Sequence, residues 1–525
     1  MRMHVTTRAA MLAGVLLSGG TPAVAQAPQG ERVDVAVAQK IRDEEMNRSK
    51  IPDLSTQLFD KIGQRLTGSS SLRTAQQWAS TTLTGWGLQK VQIEPWDSLF
   101  GRGWERVSYS ARWLEPVVQP LYGMPLAWTG STKNAVTCSA MIVEIRDSTD
   151  LAKYEGKLKG ACVLLFRPFG DRPGGPPQIA REWTPTSSRE TNDSLMAWSV
   201  EPMAQRGGRG GRGGRGGGAN NPLSADHFAN WMKKQAPAVI LTSSTRTYGL
   251  LQGSAGLQSR FARDSANFEP LPALVITHEQ AGQMYRDLQN NVPVKLEINV
   301  QNKFVNPDKK EFNLIAEIPG TDRASEVVMI GAHFDSWYGG TGATDNGAGS
   351  VVMMEAMRLL KTLNLPLRRT VKIGLWTGEE QGLLGSRDWV RKHKSEMDSI
   401  SAYLNVDNGS GRLRGVYAQG NAAVMPIFEQ IMLPFRDVGV VASRIANTGG
   451  TDHLSFDALG VPGFQFIQDP LDYDTRTHHS QVDTYERLEM DDLKQAATIV
   501  AFCVYQIANR DQMMPRKPAA GPGTN

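Results

Sequence analysis

The chain has 525 residues, 40% hydrophobic and 21% charged, enough for two or three globular domains with a sizeable core. Its net charge of +4 is too small to imply a nucleic-acid partner.

The first residues read as an export signal (1–25): a basic start at Arg2 and Arg8, a short apolar run over 9–17, then Ala23-Val24-Ala25 before a cut. The run is too short to span a bilayer, and no later segment reaches the roughly 18 apolar residues that a span needs. The expectation is a periplasmic or secreted protein with no transmembrane segment.

Residues 31–112 open with a helical stretch, turn at 68–71, continue as a helix over 72–84 and end in an alternating strand, KVQIEPW. From 113 to 303 short strand-like runs follow one another: SAMIVEI (139–145), ACVLLF, APAVILT and LPALVIT, with one helix over 278–288. Cys138 and Cys162 lie in neighbouring runs of this segment and can pair, whereas Cys503 falls in an apolar helix pattern and reads as a buried thiol. The repeated Arg-Gly-Gly of 206–218 interrupts this folded segment and follows an export signal. It therefore reads as part of a flexible, disordered insertion near 168–235 rather than an RNA-binding tract. From 304 to 512 strands and helices alternate: EVVMIGAH, TVKIGLWT, ISAYLNVD and VPGFQFI, with helices near 346–363, 381–394, 421–433 and 490–509. Such alternation predicts a doubly wound α/β sheet, whose ligands sit at the carboxyl ends of its strands. Residues 513–525 read as a flexible tail.

The candidate ligands fall at those strand ends. His333 closes one run, with Asp335 two residues on to fix its imidazole. Asp345 precedes Asn346-Gly347-Ala348-Gly349, where it serves equally as a helix N-cap. Glu379 and Glu380 leave a second strand; adjacent carboxylates repel unless cations lie between them, and one can then ligate while the other takes a proton from water. Asp407 ends a third strand. His478 or His479 supplies a further imidazole, and Asp452 and His453 are candidates for contacts near substrate. No thiolate cluster, no strand-linked GxSxG and no phosphate-loop lysine accompany them, so a Cys-type zinc, a serine hydrolase and a nucleotide site lack support.

GAHFDSW, the twelve-residue step from His333 to Asp345, LWTGEEQG, GGTDHLSFDALGVPG and THHSQVDT resemble the di-zinc exopeptidases. That family includes bacterial leucyl aminopeptidases, glutamate carboxypeptidase II and, the nearest likeness, plasma glutamate carboxypeptidase. The likeness covers 31–112 and 304–512, and 113–303 is similar to an inserted protease-associated domain. It implies a zinc peptidase fold with two Zn(2+). His333 and Asp407 would hold one ion, Glu380 and His479 the other, Asp345 would bridge, Glu379 would be the general base and Asp335 would orient His333. His479 is preferred to His478 because the family pattern is His, Ser or Thr, two residues, then Asp-Thr. The implied reaction is hydrolysis of terminal bonds in short peptides, with the terminus left open, and a homodimer is compatible with the family. The rival readings are an inactive receptor-like scaffold and a single-zinc cyclising transferase.

Overall fold

The structure is a computed structural model that describes residues 31–165 and 223–518. The export signal, the Arg-Gly-Gly run and the last seven positions lie outside the described residues.

The larger body is a seven-stranded mixed sheet. Its order is Gln89–Pro95, Phe312–Ile318, Arg369–Trp376, Arg323–His333, Ile400–Asn405, Gly463–Gln468 and Leu413–Tyr417. The four strands from Arg369–Trp376 to Gly463–Gln468 are parallel, and the outer ones are antiparallel to their neighbours. The central strands are apolar throughout because both faces are covered. Val328, Ile330 and Ala332 pack with the helices Ala348–Thr362 and Met490–Asn509. Val327 and Met329 turn the other way, towards Trp376, Trp389, Tyr403 and Phe456. The expected α/β architecture, helices on both faces of a mixed sheet, is thus present, and every strand and helix read after 304 has its counterpart within a few residues.

A second sheet of eight strands carries the middle of the chain. Val136–Ile142, Cys162–Leu165, Val239–Ser243 and Ala273–Ile276 run parallel, flanked by the long antiparallel pair Gly103–Glu115 and Lys295–Val305. Cys138 and Cys162 form a disulfide across adjacent strands, and Cys503 is a buried thiol. The strand read over 139–145 starts and ends three residues earlier, because Val136 to Ser139 pair with Lys295–Val305.

Two segments expected to be flexible are folded in part. The end of the 168–235 stretch is a helix, Ala225–Gln235, capped by Ser224 and anchored by buried Ala229, Trp231 and Met232. Of the tail, 513–518 lie on the main body. Met514 is buried and its N–H donates to Ser401 Oγ, and the Arg516 guanidinium donates to the carbonyls of Met397, Ile400 and Gly460.

Candidate metal centre

The parallel strands all deliver their carboxyl ends to one edge of the main sheet, and the predicted residues meet there. His333 is the last residue of Arg323–His333. Glu379 and Glu380 follow Arg369–Trp376, and Asp407 follows Ile400–Asn405. Asp345 sits in the tight turn before the Ala348–Thr362 helix. His479 comes from the loop after Gly463–Gln468.

The distances are those of one cluster. His333 Nε2 lies 3.3 Å from Asp345 Oδ1, 3.3 Å from Asp407 Oδ1 and 3.9 Å from Glu379 Oε2. His479 Nε2 lies 2.9 Å from Glu380 Oε2 and 3.3 Å from Asp345 Oδ2. His333, Asp345 and Glu380 each offer a donor atom within 4.8 Å of the others, as do Asp345, His478 and His479. Asp345 is the member common to both groups.

Asp335 stands beside this cluster. Its backbone carbonyl lies 3.0 Å from His333 Nδ1, and its carboxylate accepts from Thr67 Oγ1 at 2.7 Å and from the Glu379 N–H at 3.3 Å. A carbonyl on Nδ1 fixes the tautomer that leaves Nε2 free as a ligand. Asp452 and His453 have no exposed surface. The His453 Nε2–H donates to the Thr448 carbonyl at 3.3 Å, and burial holds the imidazole pKa down to about 4. Burial, with Asp407 and Asp335 nearby, pushes the Asp452 carboxyl up to about 7.

Residues that the motifs did not single out complete the frame. Arg65, fully buried, donates to the carbonyls of Phe334, Thr341 and Gly342, and so ties together both ends of the loop between His333 and Asp345. Asp483 accepts from the Thr344 N–H and hydroxyl and from the Asp345 N–H. Tyr473 donates its hydroxyl to Asp345 Oδ1 at 3.0 Å. The quoted THHSQVDT motif contained Asp483; nothing local pointed to Arg65 or Tyr473.

The electrostatics call for cations. Asp345 Oδ2, Glu380 Oε1 and Asp407 Oδ1 are buried without a hydrogen bond, an expensive state for a carboxylate oxygen. Burial pushes the carboxyls of Glu379 and Glu380 well above the usual range, and the surrounding carboxylates push the same way. Burial opposes charge on His333, yet Asp407, Glu379, Asp335 and Asp345 together draw a proton onto it. A metal ion would supply the positive charge that this proton otherwise provides and would satisfy the bare oxygens. Imidazoles and carboxylates form a donor set that zinc takes.

Residues 313–504 match peptidase family M28. Carboxypeptidase Q from Homo sapiens is 26% identical over 460 residues, covering 87% of this chain and 85% of the relative. In fold, the chain is similar to an M28 peptidase precursor from Shewanella amazonensis, with a TM-score of 0.65 and 23% identity over 92% of this chain and 99% of that one. It is also similar to a zinc aminopeptidase from Bacillus subtilis, with a TM-score of 0.56 and 17% identity over 89% and 95%. With a carboxylate and imidazole cluster at its strand ends, the segment 313–504 is similar to the M28 peptidases, and the chain is a metallopeptidase whose donor set suits zinc.

Proposed function

We propose that this protein is an exported di-zinc exopeptidase that hydrolyses the terminal bonds of short peptides. His333 and Asp407 would hold one ion and Glu380 and His479 the other, with Asp345 shared between the two sites. The observation that carries this reading is the shared position of Asp345, whose two oxygens face different imidazoles at 3.3 Å each. When bound, two zinc ions polarise the scissile carbonyl and acidify the attacking water. The chain's own residues do the rest. Glu379, 3.9 Å from His333 Nε2, accepts the water proton and returns it to the leaving amine. Asp335 and its carbonyl hold His333 in register, and the Tyr473 hydroxyl fixes the plane of the Asp345 carboxylate. Export is supported by the basic-apolar start of the sequence and by the Cys138–Cys162 disulfide, which suits an oxidising compartment.

The test is zinc content together with turnover. Wild-type protein should hold two zinc ions per chain, lose peptidase activity on chelation and recover it with zinc. Glu379→Gln should keep both ions and lose about 10²- to 10⁴-fold in kcat. Full turnover in that variant removes Glu379 as the base, and one ion per chain points to the cyclising transferase instead. Dipeptides blocked at the amino or the carboxyl end then decide which terminus the site accepts, a choice on which the names of the relatives divide.

A further inference from the structure

The proposed ligand His479 is held by a part of the chain that belongs to the other sheet. The loop 244–256 leaves the strand Val239–Ser243 of the second sheet and lies along the segment 478–481. The Gly253 N–H donates to the His479 carbonyl at 2.6 Å, and the Gln481 N–H donates to the Leu251 carbonyl at 3.2 Å. Gln252 and Ser480 pair as an antiparallel bridge. The Gln481 side chain closes the arrangement: its Oε1 accepts from the Leu251 N–H at 2.7 Å and its Nε2 donates to the Gly249 carbonyl at 3.0 Å. Arg246, on the same loop, donates to the carbonyls of Asp474 and His478.

This grip bears on a strained residue. His479 has φ +61, in the left-handed region that a side chain with a Cβ occupies at a cost, so its backbone needs external support. On its far side the segment is tied to the main sheet, where Asp483 accepts from Thr344 and Asp345. Trp337 packs edge-on to the His479 ring, 5.9 Å between centroids. A Cβ on Gly253 would meet the His479 carbonyl and Trp337 Cβ at 3.3 Å each, so the two backbones touch with little room to spare.

We propose that the loop 249–253 is a positioning element of the metal centre, clamping the segment 479–481 so that His479 is presented as a ligand only while the second sheet is docked on the first. The inference rests on the reading of His479 as a zinc ligand. It makes the second sheet a determinant of metal affinity at one of the two sites, the one completed by Glu380 and His479. The His333 and Asp407 site takes both its imidazole and its unshared carboxylate from the main sheet and does not depend on the clamp.

The experiment is equilibrium zinc binding in chelator-buffered zinc, with metal content measured on the full chain for wild type, Gln481→Ala, Gly253→Ala and, as a control on the same loop, the exposed Tyr248→Ala. Thermal unfolding is followed alongside. Gln481→Ala should weaken one zinc by about 10- to 100-fold, the usual cost of losing a residue that orients a ligand. It should leave the other zinc unchanged and the unfolding temperature of the zinc-free protein within a few degrees of wild type. Gly253→Ala should weaken the same ion in the same direction, and Tyr248→Ala should weaken neither. Unchanged affinity at both sites in Gln481→Ala and Gly253→Ala overturns the inference. So does loss of both ions in step with a lowered unfolding temperature, because the loop would then support the fold and not the ligand. Should wild type itself bind a single zinc, the di-zinc reading fails first and independently of the clamp.

Discussion

Arg65→Met tests whether the metal loop is held from the N-terminal segment. The guanidinium makes four hydrogen bonds to backbone carbonyls: Phe334 at 2.8 Å, Thr341 at 2.8 Å, and Gly63 and Gly342 at 2.9 Å. It has no exposed surface, and burial lowers its pKa to about 10 while Asp483, Asp335 and Asp345 hold it up, so it stays charged at neutral pH. A hydrogen bond from a charged donor is worth roughly 1.5–3 kcal/mol, which makes the four bonds worth roughly 6–12. Against this stands the several kcal/mol spent in removing the guanidinium from water, which methionine avoids. The difference leaves a net loss of about 3–5 kcal/mol. In a body of this size each kcal/mol moves the unfolding temperature by about 2–4 °C, so the midpoint should fall by roughly 6–20 °C. Arg65→Lys should recover less than half of that, because a single ammonium cannot reach carbonyls on both flanks of the loop. Since those flanks carry His333 and Asp345, kcat at saturating zinc should fall by about 10²-fold, the usual consequence of a displacement near 1 Å at a reacting centre. Scanning calorimetry and single-turnover peptide hydrolysis measure the two effects. A methionine variant that unfolds within about 2 °C of wild type refutes the argument, since water would then be satisfying the abandoned carbonyls.

Other expectations follow from packing, covalent chemistry and charge. Gly331→Ala places a Cβ 2.5–2.7 Å from Tyr403 Oη, the Gly374 carbonyl and Trp376 Nε1; it should cost about 1–3 kcal/mol by overpacking and lower turnover through His333, two residues on, and calorimetry with kinetics checks both. Replacing Cys138 and Cys162 together by serine opens a closure of 24 residues and should destabilise the second sheet by about 3.5 kcal/mol, read as an earlier unfolding step that a reducing agent reproduces in wild type. His393 is raised by its bond to Glu94, against partial burial and with help from Glu396, so its contribution is full below its unfolded value of about 6.5 and is lost as pH rises through the folded one. Glu94 is buried, yet His393 and Lys392 bring it down to about 2, so its contribution is present above about 4.3 and fades as pH falls towards 2. His393→Gln should therefore cost most, about 1 kcal/mol after solvent screening, between roughly pH 4.5 and 6.5, and a pH series of unfolding temperatures tests that window.

The main sheet was legible because burial on two faces leaves a mark in composition. Runs such as EVVMIGAH can be apolar at successive positions only if both faces are covered, and the structure divides that run between two cores. The candidate ligands were legible for a related reason: a histidine or acid that abruptly ends such a run has been carried to the sheet edge by the strand itself. The long pair Gly103–Glu115 and Lys295–Val305 went unread because one face meets solvent and takes Arg, Glu, Ser and Lys at alternate positions, which resembles a loop. Arg65 could not be read, since its partners are up to 277 positions away and an isolated arginine carries no period. Asp483 was visible as a motif member, but its work of holding the Asp345 turn spans 138 positions.

These long separations bear on how the centre forms. The strands bring His333, Glu379, Glu380 and Asp407 to one edge as a consequence of building the sheet, so their convergence is set by core packing. Asp345 and His479 arrive differently, on turns held by polar contacts from 65, 483 and the loop 249–253. Without a cation, the same place gathers buried carboxylates that cannot all be charged together. Folding of the sheet and closure of the turns therefore pull against each other until positive charge is present. Metal binding in such a site is in part folding free energy, and the turns are where that energy is spent. His333, Glu379, Glu380 and Asp407 are thus preorganised by apolar packing, whereas Asp345 and His479 depend on a polar frame drawn from both sheets.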